Sequence, residues 1–236
     1  MHKPEIIIAM DLPNKGAVDQ FIDQFPRHES LYLKVGMELY YKEGPSIVTH
    51  LKAKGHRIFL DLKMHDIPNT VKSAMRSIAS LGVDLTNLHA AGGKKMMEAA
   101  LEGLIEGTPK GAKRPLVIAV TQLTSTSTEM MNSELLIPGI ASAVALEYAK
   151  LTKAAGLDGV VCSVQEAKSV HEACGKDFIA LTPGIRLAGD EIHDQARVAT
   201  PKMAKEAGSN YLVLGRSVTG AENPYEVYQR VQSEIG

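Results

Sequence analysis

The densest signal for chemistry in the chain is Asp61-Leu62-Lys63-Met64-His65-Asp66-Ile67-Pro68-Asn69-Thr70. On an extended strand, Asp61 and Lys63 are two residues apart and point the same way. Asp66 then falls in the turn beyond the strand, and Pro68 suits the first turn of a following helix. A D-x-K-x-x-D spacing alone says little, because charges are common at strand ends. Its context says more: Asp11, Lys34 and the pair Gly215-Arg216 also follow short apolar runs. Lys34 by itself reads equally as a solvated rim lysine. Charges meeting from four strand ends are another matter, since Lys and Asp are rarely buried unless paired. Ammonium donors facing carboxylate acceptors are the materials of proton transfer and charge stabilisation.

Those side chains meet only if the strands converge. One pattern recurs along the chain: a helix-like stretch, a glycine, then a short apolar strand. It stands at Gly55, Gly82, Gly156 and Gly208, where glycine closes a helix in a left-handed turn. The strands read as unbroken apolar runs, as strands buried on both faces do. Eight follow: Ile6–Met10, Leu31–Val35, Ile58–Leu62, Leu85–His89, Leu116–Val120, Gly159–Cys162, Phe178–Leu181 and Tyr211–Leu214. Helix starts between them carry caps: Ser163 with Glu166, Asn223 with Glu226 before Pro224, and Thr200-Pro201. Eight alternating units predict an α/β fold, a single (β/α)8 TIM barrel forming one domain over residues 1–236. A doubly wound open sheet is the alternative. In a barrel the strand C-termini ring one cavity, here Asp11, Lys34, Asp61 with Lys63, His89, Thr121, Cys162, Pro183-Gly184 and Gly215-Arg216. Two connections on that face, from Thr121 to about Pro138 and from Pro183 to about Thr200, are long enough to act as lids.

Composition sets the outer limits. With 236 residues, 44% of them hydrophobic, the chain can bury a large core. A net charge of -1 gives no support to a nucleic-acid or membrane-surface role. The apolar run Ile6 to Met10 is too short for a signal or membrane helix. Cys162 and Cys174 form no metal or redox motif, so a soluble protein of the reducing cytoplasm is expected.

The segment Asp61 to Thr70 resembles the signature of the orotidine 5'-monophosphate decarboxylases, and the likeness runs the length of the chain. Ile8-Ala9-Met10-Asp11 is similar to the family's first strand and Lys34-Val35-Gly36 to its second. Thr182-Pro183-Gly184-Ile185-Arg186 is similar to its seventh, and Leu214-Gly215-Arg216-Ser217 to its eighth. Together, in this order, they resemble the bacterial branch. The resemblance implies decarboxylation of orotidine monophosphate to uridine monophosphate, with no metal and no cofactor. It implies an alternating array of Lys34, Asp61, Lys63 and Asp66, with Lys63 as proton donor and Asp61 beside the leaving carboxylate. Substrate contacts carried over are Gly215, Arg216 and Gln195 at the phosphate and Arg186 at a loop base. Thr124 is carried over at the pyrimidine edge, and Asp11 and Thr70 at the ribose. A homodimer with shared active sites is also implied, Asp66 and Thr70 reaching the neighbouring cavity.

Two other functions compete. Metal-dependent sugar-phosphate decarboxylases or aldolases of the same barrel group resemble the chain at Asp61, Lys63 and Asp66. They carry an acidic metal ligand where Lys34 stands, and an ammonium group cannot ligate magnesium. A non-catalytic nucleotide-binding barrel would have no use for Lys63. Some residues invite chemistry but read better as structure. His65 reads as a packed or rim histidine, Met96-Met97 as helix packing and Cys162 as a small core residue. His89 could line the cavity, but no carboxylate or cysteine motif beside it suggests a metal.

Overall fold

The computed structural model describes residues 3–187 and 199–236. Eight parallel strands lie in chain order: β1 (Glu5–Ala9), β2 (Tyr32–Gly36), β3 (Arg57–Met64), β4 (Leu85–His89), β5 (Leu116–Val120), β6 (Gly159–Val161), β7 (Ile179–Thr182) and β8 (Tyr211–Leu214). β1 pairs with β8, from Glu5 opposite Tyr211 to Ile8 opposite Leu214, and so closes the sheet. That pairing removes the open doubly wound alternative. The strands read from sequence stand within two residues of those observed.

The local reasons match the sequence. Gly55 and Gly156 have φ of 87° and 82°, the left-handed turn that lets a helix end and a strand begin at once. Thr200 caps the helix Pro201–Glu206 by accepting the Met203 N–H at 3.2 Å. At the capping box, the Glu166 carboxylate accepts the Ser163 N–H at 2.8 Å. Asn223 forms half of the expected box: its side chain accepts the Glu226 N–H, while the Glu226 carboxylate meets the Asn223 amide rather than its backbone.

Strand alternation sorts the core into two layers. Ile6, Ile8, Leu33, Val35, Ile58 and Leu60 face outward and pack on the helices. Ile7, Ala9, Tyr32, Phe59, Leu85, Ile118, Leu181, Tyr211 and Val213 fill the barrel interior. Toward the C-terminal end the inward positions change character. Two residues beyond Tyr32, Phe59 and Leu85 stand Lys34, Asp61 and Asn87. Three adjacent strands thus switch from apolar to polar at one level, and this step forms the floor of the site.

Candidate active site

A cavity of about 270 Å³ opens at the C-terminal end of the barrel. It gathers Asp11, Lys34, Asp61, Lys63, Thr124, Arg186, Gly215 and Arg216 from the residues expected. Asp66 and Thr70 do not line it. Both are exposed; the Asp66 carboxylate accepts the N–H of Ile67, and Thr70 sits in the first turn of the helix Pro68–Ser80. Gln195 lies outside the described residues. Arg186 is buried at the base of the long loop, where its backbone N–H donates to Ala199 at 3.0 Å and ties the two ends of that loop together.

The centre of the site is Asp61, 7% exposed. One carboxylate oxygen accepts from Lys63 Nζ at 2.7 Å, and the other lies 3.4 Å from Lys34 Nζ. Lys34 Nζ also donates to Asp11 Oδ1 at 3.0 Å. Charges alternate in space as Asp11, Lys34, Asp61 and Lys63: Asp11 extends the array beyond Lys34, at the end opposite the one expected for Asp66. Burial works to raise the Asp61 carboxyl. The Lys34 and Lys63 ammonium groups, with bonds from Lys63 and Asn87, outweigh it and hold Asp61 below the ordinary carboxylate range. The site is therefore an anion pinned between two cations.

Lys63 reaches this place by an unexpected route. Simple alternation put it beside Asp61 on a regular strand. Instead its backbone takes φ 51°, one of two non-glycine residues with positive φ among those described. Such a conformation costs about 1–2 kcal/mol and is a mark of sites that constrain a side chain. Asn87, on β4, went unnoticed in the sequence. It is 1% exposed and bonds both Asp61 and the Lys63 backbone. The signal was present: in Leu85-Thr86-Asn87-Leu88-His89 the residue shares a face with Leu85 and His89 and points inward.

The remaining tempting residues behave as structure. Cys162 lines the cavity wall but is 1% exposed, and burial pushes its thiol upward, away from the thiolate a nucleophile requires. His65 is exposed and stacks on His89, ring centroids 5.6 Å apart. Burial first, then His65 and Lys63, lowers His89 below the usual histidine range and favours a neutral ring. Among the described residues no helix is long and apolar enough to cross a membrane.

Comparison with known proteins supplies the family. The model of the Orotidine 5'-phosphate decarboxylase / HUMPS family matches residues 4–231. The chain belongs to that family. It is 61% identical over 229 residues to the orotidine 5'-phosphate decarboxylase of Bacillus cytotoxicus, covering 97% of this chain and 96% of that one. The enzyme of the same name from Bacillus mycoides is 60% identical over the same share of each chain. Among solved structures, orotidine 5'-phosphate decarboxylase from Lactobacillus acidophilus superposes with a TM-score of 0.90 at 41% identity, covering 99% of both chains. An uncharacterised conserved protein from Geobacillus kaustophilus superposes with a TM-score of 0.88 at 50% identity, covering 98% of this chain and all of that one.

Proposed function

We propose that this chain decarboxylates orotidine 5'-monophosphate to uridine 5'-monophosphate, working as one barrel domain over residues 1–236, without metal or cofactor. The observation that carries the reading is Asp61, buried between Lys34 and Lys63 at the cavity floor, in a chain about 60% identical to enzymes of that name. The bond between the ring carbon and its carboxylate breaks, carbon dioxide leaves, and the electron pair stays on the ring carbon. Lys63 Nζ–H protonates that carbon, and the resulting amine regains a proton from solvent. Asp61 faces the leaving carboxylate. The like charges repel in the bound state, and the repulsion is relieved as carbon dioxide departs, while the two ammonium groups favour the developing carbanion. Lys34 holds Asp61 in place from the other side.

The rest of the substrate supplies binding energy. Gly215 and Arg216, after β8, suit the phosphate by backbone N–H groups and a guanidinium fork, and Gln195 joins them from the loop whose base holds Arg186. Thr124 meets the pyrimidine edge and Asp11 the ribose. Asp66 and Thr70 serve the neighbouring chain of a homodimer, completing its cavity as its own pair completes this one. Their exposure supports this, as does Ile67, an apolar side chain 66% exposed between them. A protein of this activity belongs in the cytoplasm.

The direct test is the change in ultraviolet absorbance of orotidine monophosphate on adding purified protein in excess chelator. Full turnover is expected. No turnover at saturating substrate would overturn the reading. Activity that collapses in chelator and returns with magnesium would transfer the chain to the metal-dependent sugar-phosphate group.

A further inference from the structure

The ladder between β3 and β4 breaks where the chemistry sits. Leu60 pairs with Thr86 and Met64 with Leu88, so Asp61, Leu62 and Lys63 stand opposite Asn87 alone. Two extra residues make a bulge on β3, and within it Lys63 takes its left-handed φ of 51°. A bulge strips backbone groups of their ladder partners, and a buried N–H must find another. The Asn87 side chain provides it: Oδ1 accepts the Lys63 N–H at 2.9 Å, while Nδ2 donates to Asp61 Oδ1 at 2.6 Å. The same Asp61 oxygen accepts Lys63 Nζ at 2.7 Å. One planar amide thus holds the backbone of one charged residue and the carboxylate of the other. An amide offers an acceptor and a donor together without titrating.

We propose that Asn87 is a positioning residue of the decarboxylation: its amide stands in for the missing ladder and fixes the Asp61 carboxylate against the Lys63 backbone. The separation of carboxylate and ammonium seen by the substrate is then set by β4 as well as by β3. This rests on the reading above, in which Lys63 delivers the proton and Asp61 faces the leaving carboxylate. Asn87 makes no covalent step; it removes motion that would misplace the proton donor, and misplacement near 1 Å costs about 10²-fold in rate. The donor half of the amide also matters. A carboxylate at position 87 would face Asp61 at hydrogen-bond distance, and the two would share a proton. The charged groups bearing on Asp61 are Lys34 from β2 and Lys63 from β3, with Asp11 behind Lys34 and the titratable ring of His89 facing it from β4.

Two variants separate the halves of the amide. Asn87→Leu removes both bonds. Asn87→Asp keeps an acceptor for the Lys63 N–H and replaces the donor by a second carboxylate. In Asn87→Leu, kcat should fall about 10²-fold, with KM and uridine monophosphate affinity within about threefold of wild type. The Lys63 amide should exchange with solvent faster than in wild type. In Asn87→Asp that amide should stay protected, while the acid limb of kcat moves up by about one pH unit or more. A folded Asn87→Leu with near wild-type kcat and a protected Lys63 amide would overturn the proposal. If that variant does not fold, an unshifted acid limb in Asn87→Asp overturns it instead. Wild type run alongside keeps the two readings apart: its inactivity would defeat the decarboxylase assignment, whereas amide exchange at Lys63 judges the clamp by itself.

Discussion

The two ends of the barrel both carry charge at the strand termini, and they handle it in opposite ways. At the N-terminal end, Arg57 pairs with Glu5 and lies 4.1 Å over the ring of Tyr32, which meets Tyr211 edge-on at 5.9 Å. One cation has one anion and an aromatic lid, and the β2–β3 register runs unbroken from Tyr32 opposite Arg57. At the C-terminal end, Asp61 has two cations, Lys34 has two anions, the β3–β4 register shifts, and the backbone of Lys63 is strained. Phe59, Leu85 and Ile118 separate the two. The lower end is closed by its own partners and stabilises. The upper end is held slightly short of repose by its partners, with a cavity left beside them. Barrels divide their ends in this way because strand C-termini carry the loops that approach a ligand.

Lys63→Ala probes the difference most strongly. Turnover should drop on the order of 10²–10⁴-fold if the ammonium is the proton donor, while the affinity for uridine monophosphate changes far less. Near-normal turnover would remove the functional contrast between the ends. Arg216→Ala tests the rim of the same cavity. Loss of one charge-assisted contact, about 1.5–3 kcal/mol, should lower kcat/KM roughly 10- to 150-fold. The penalty should vanish with orotidine lacking its phosphate; an equal loss on both substrates would place Arg216 in the fold instead.

Whether the upper end is complete within one chain is answered by mixing. Lys63→Ala and Asp66→Ala are each expected to be inactive alone. With shared sites, a mixed dimer collects both defects in one cavity and none in the other. Random exchange then restores roughly a quarter of wild-type activity. Activity that stays at the parental level after confirmed subunit exchange would assign Asp66 to its own chain. The smallest effect belongs to the lower end. Arg57→Met should cost about 1 kcal/mol of stability, the worth of a half-exposed ion pair with one cation–π contact, and leave kcat unchanged. A fall in kcat with no change in melting temperature would mean that the two ends communicate.

Most of the barrel was legible because its signals are local. Continuous apolar runs mark strands buried on both faces, and Gly55 and Gly156 close helices in a conformation that other residues avoid. The charges at Asp11, Lys34, Asp61 and Lys63 stood at the ends of such runs, so their convergence followed once a closed sheet was assumed. The residues themselves placed Asp66 and Thr70 only beyond the strand; the neighbouring cavity came from the family resemblance, since no short-range rule states which chain's cavity an exposed turn serves. The pairing of Asp11 with Lys34 was missed because it joins residues 23 apart through two neighbouring strands.

The sequence by itself determined the alternation, the strand ends and the list of charges available to the site. Only the tertiary structure decided how those charges meet. Alternation assumes a regular ladder, and the regularity fails at Asp61–Lys63, where three residues face one. A bulge is a compromise between two strands, so it is encoded in neither alone. Asn87 shows the same limit from the other side: its inward direction was readable on β4, but its partners are set by the register of β3.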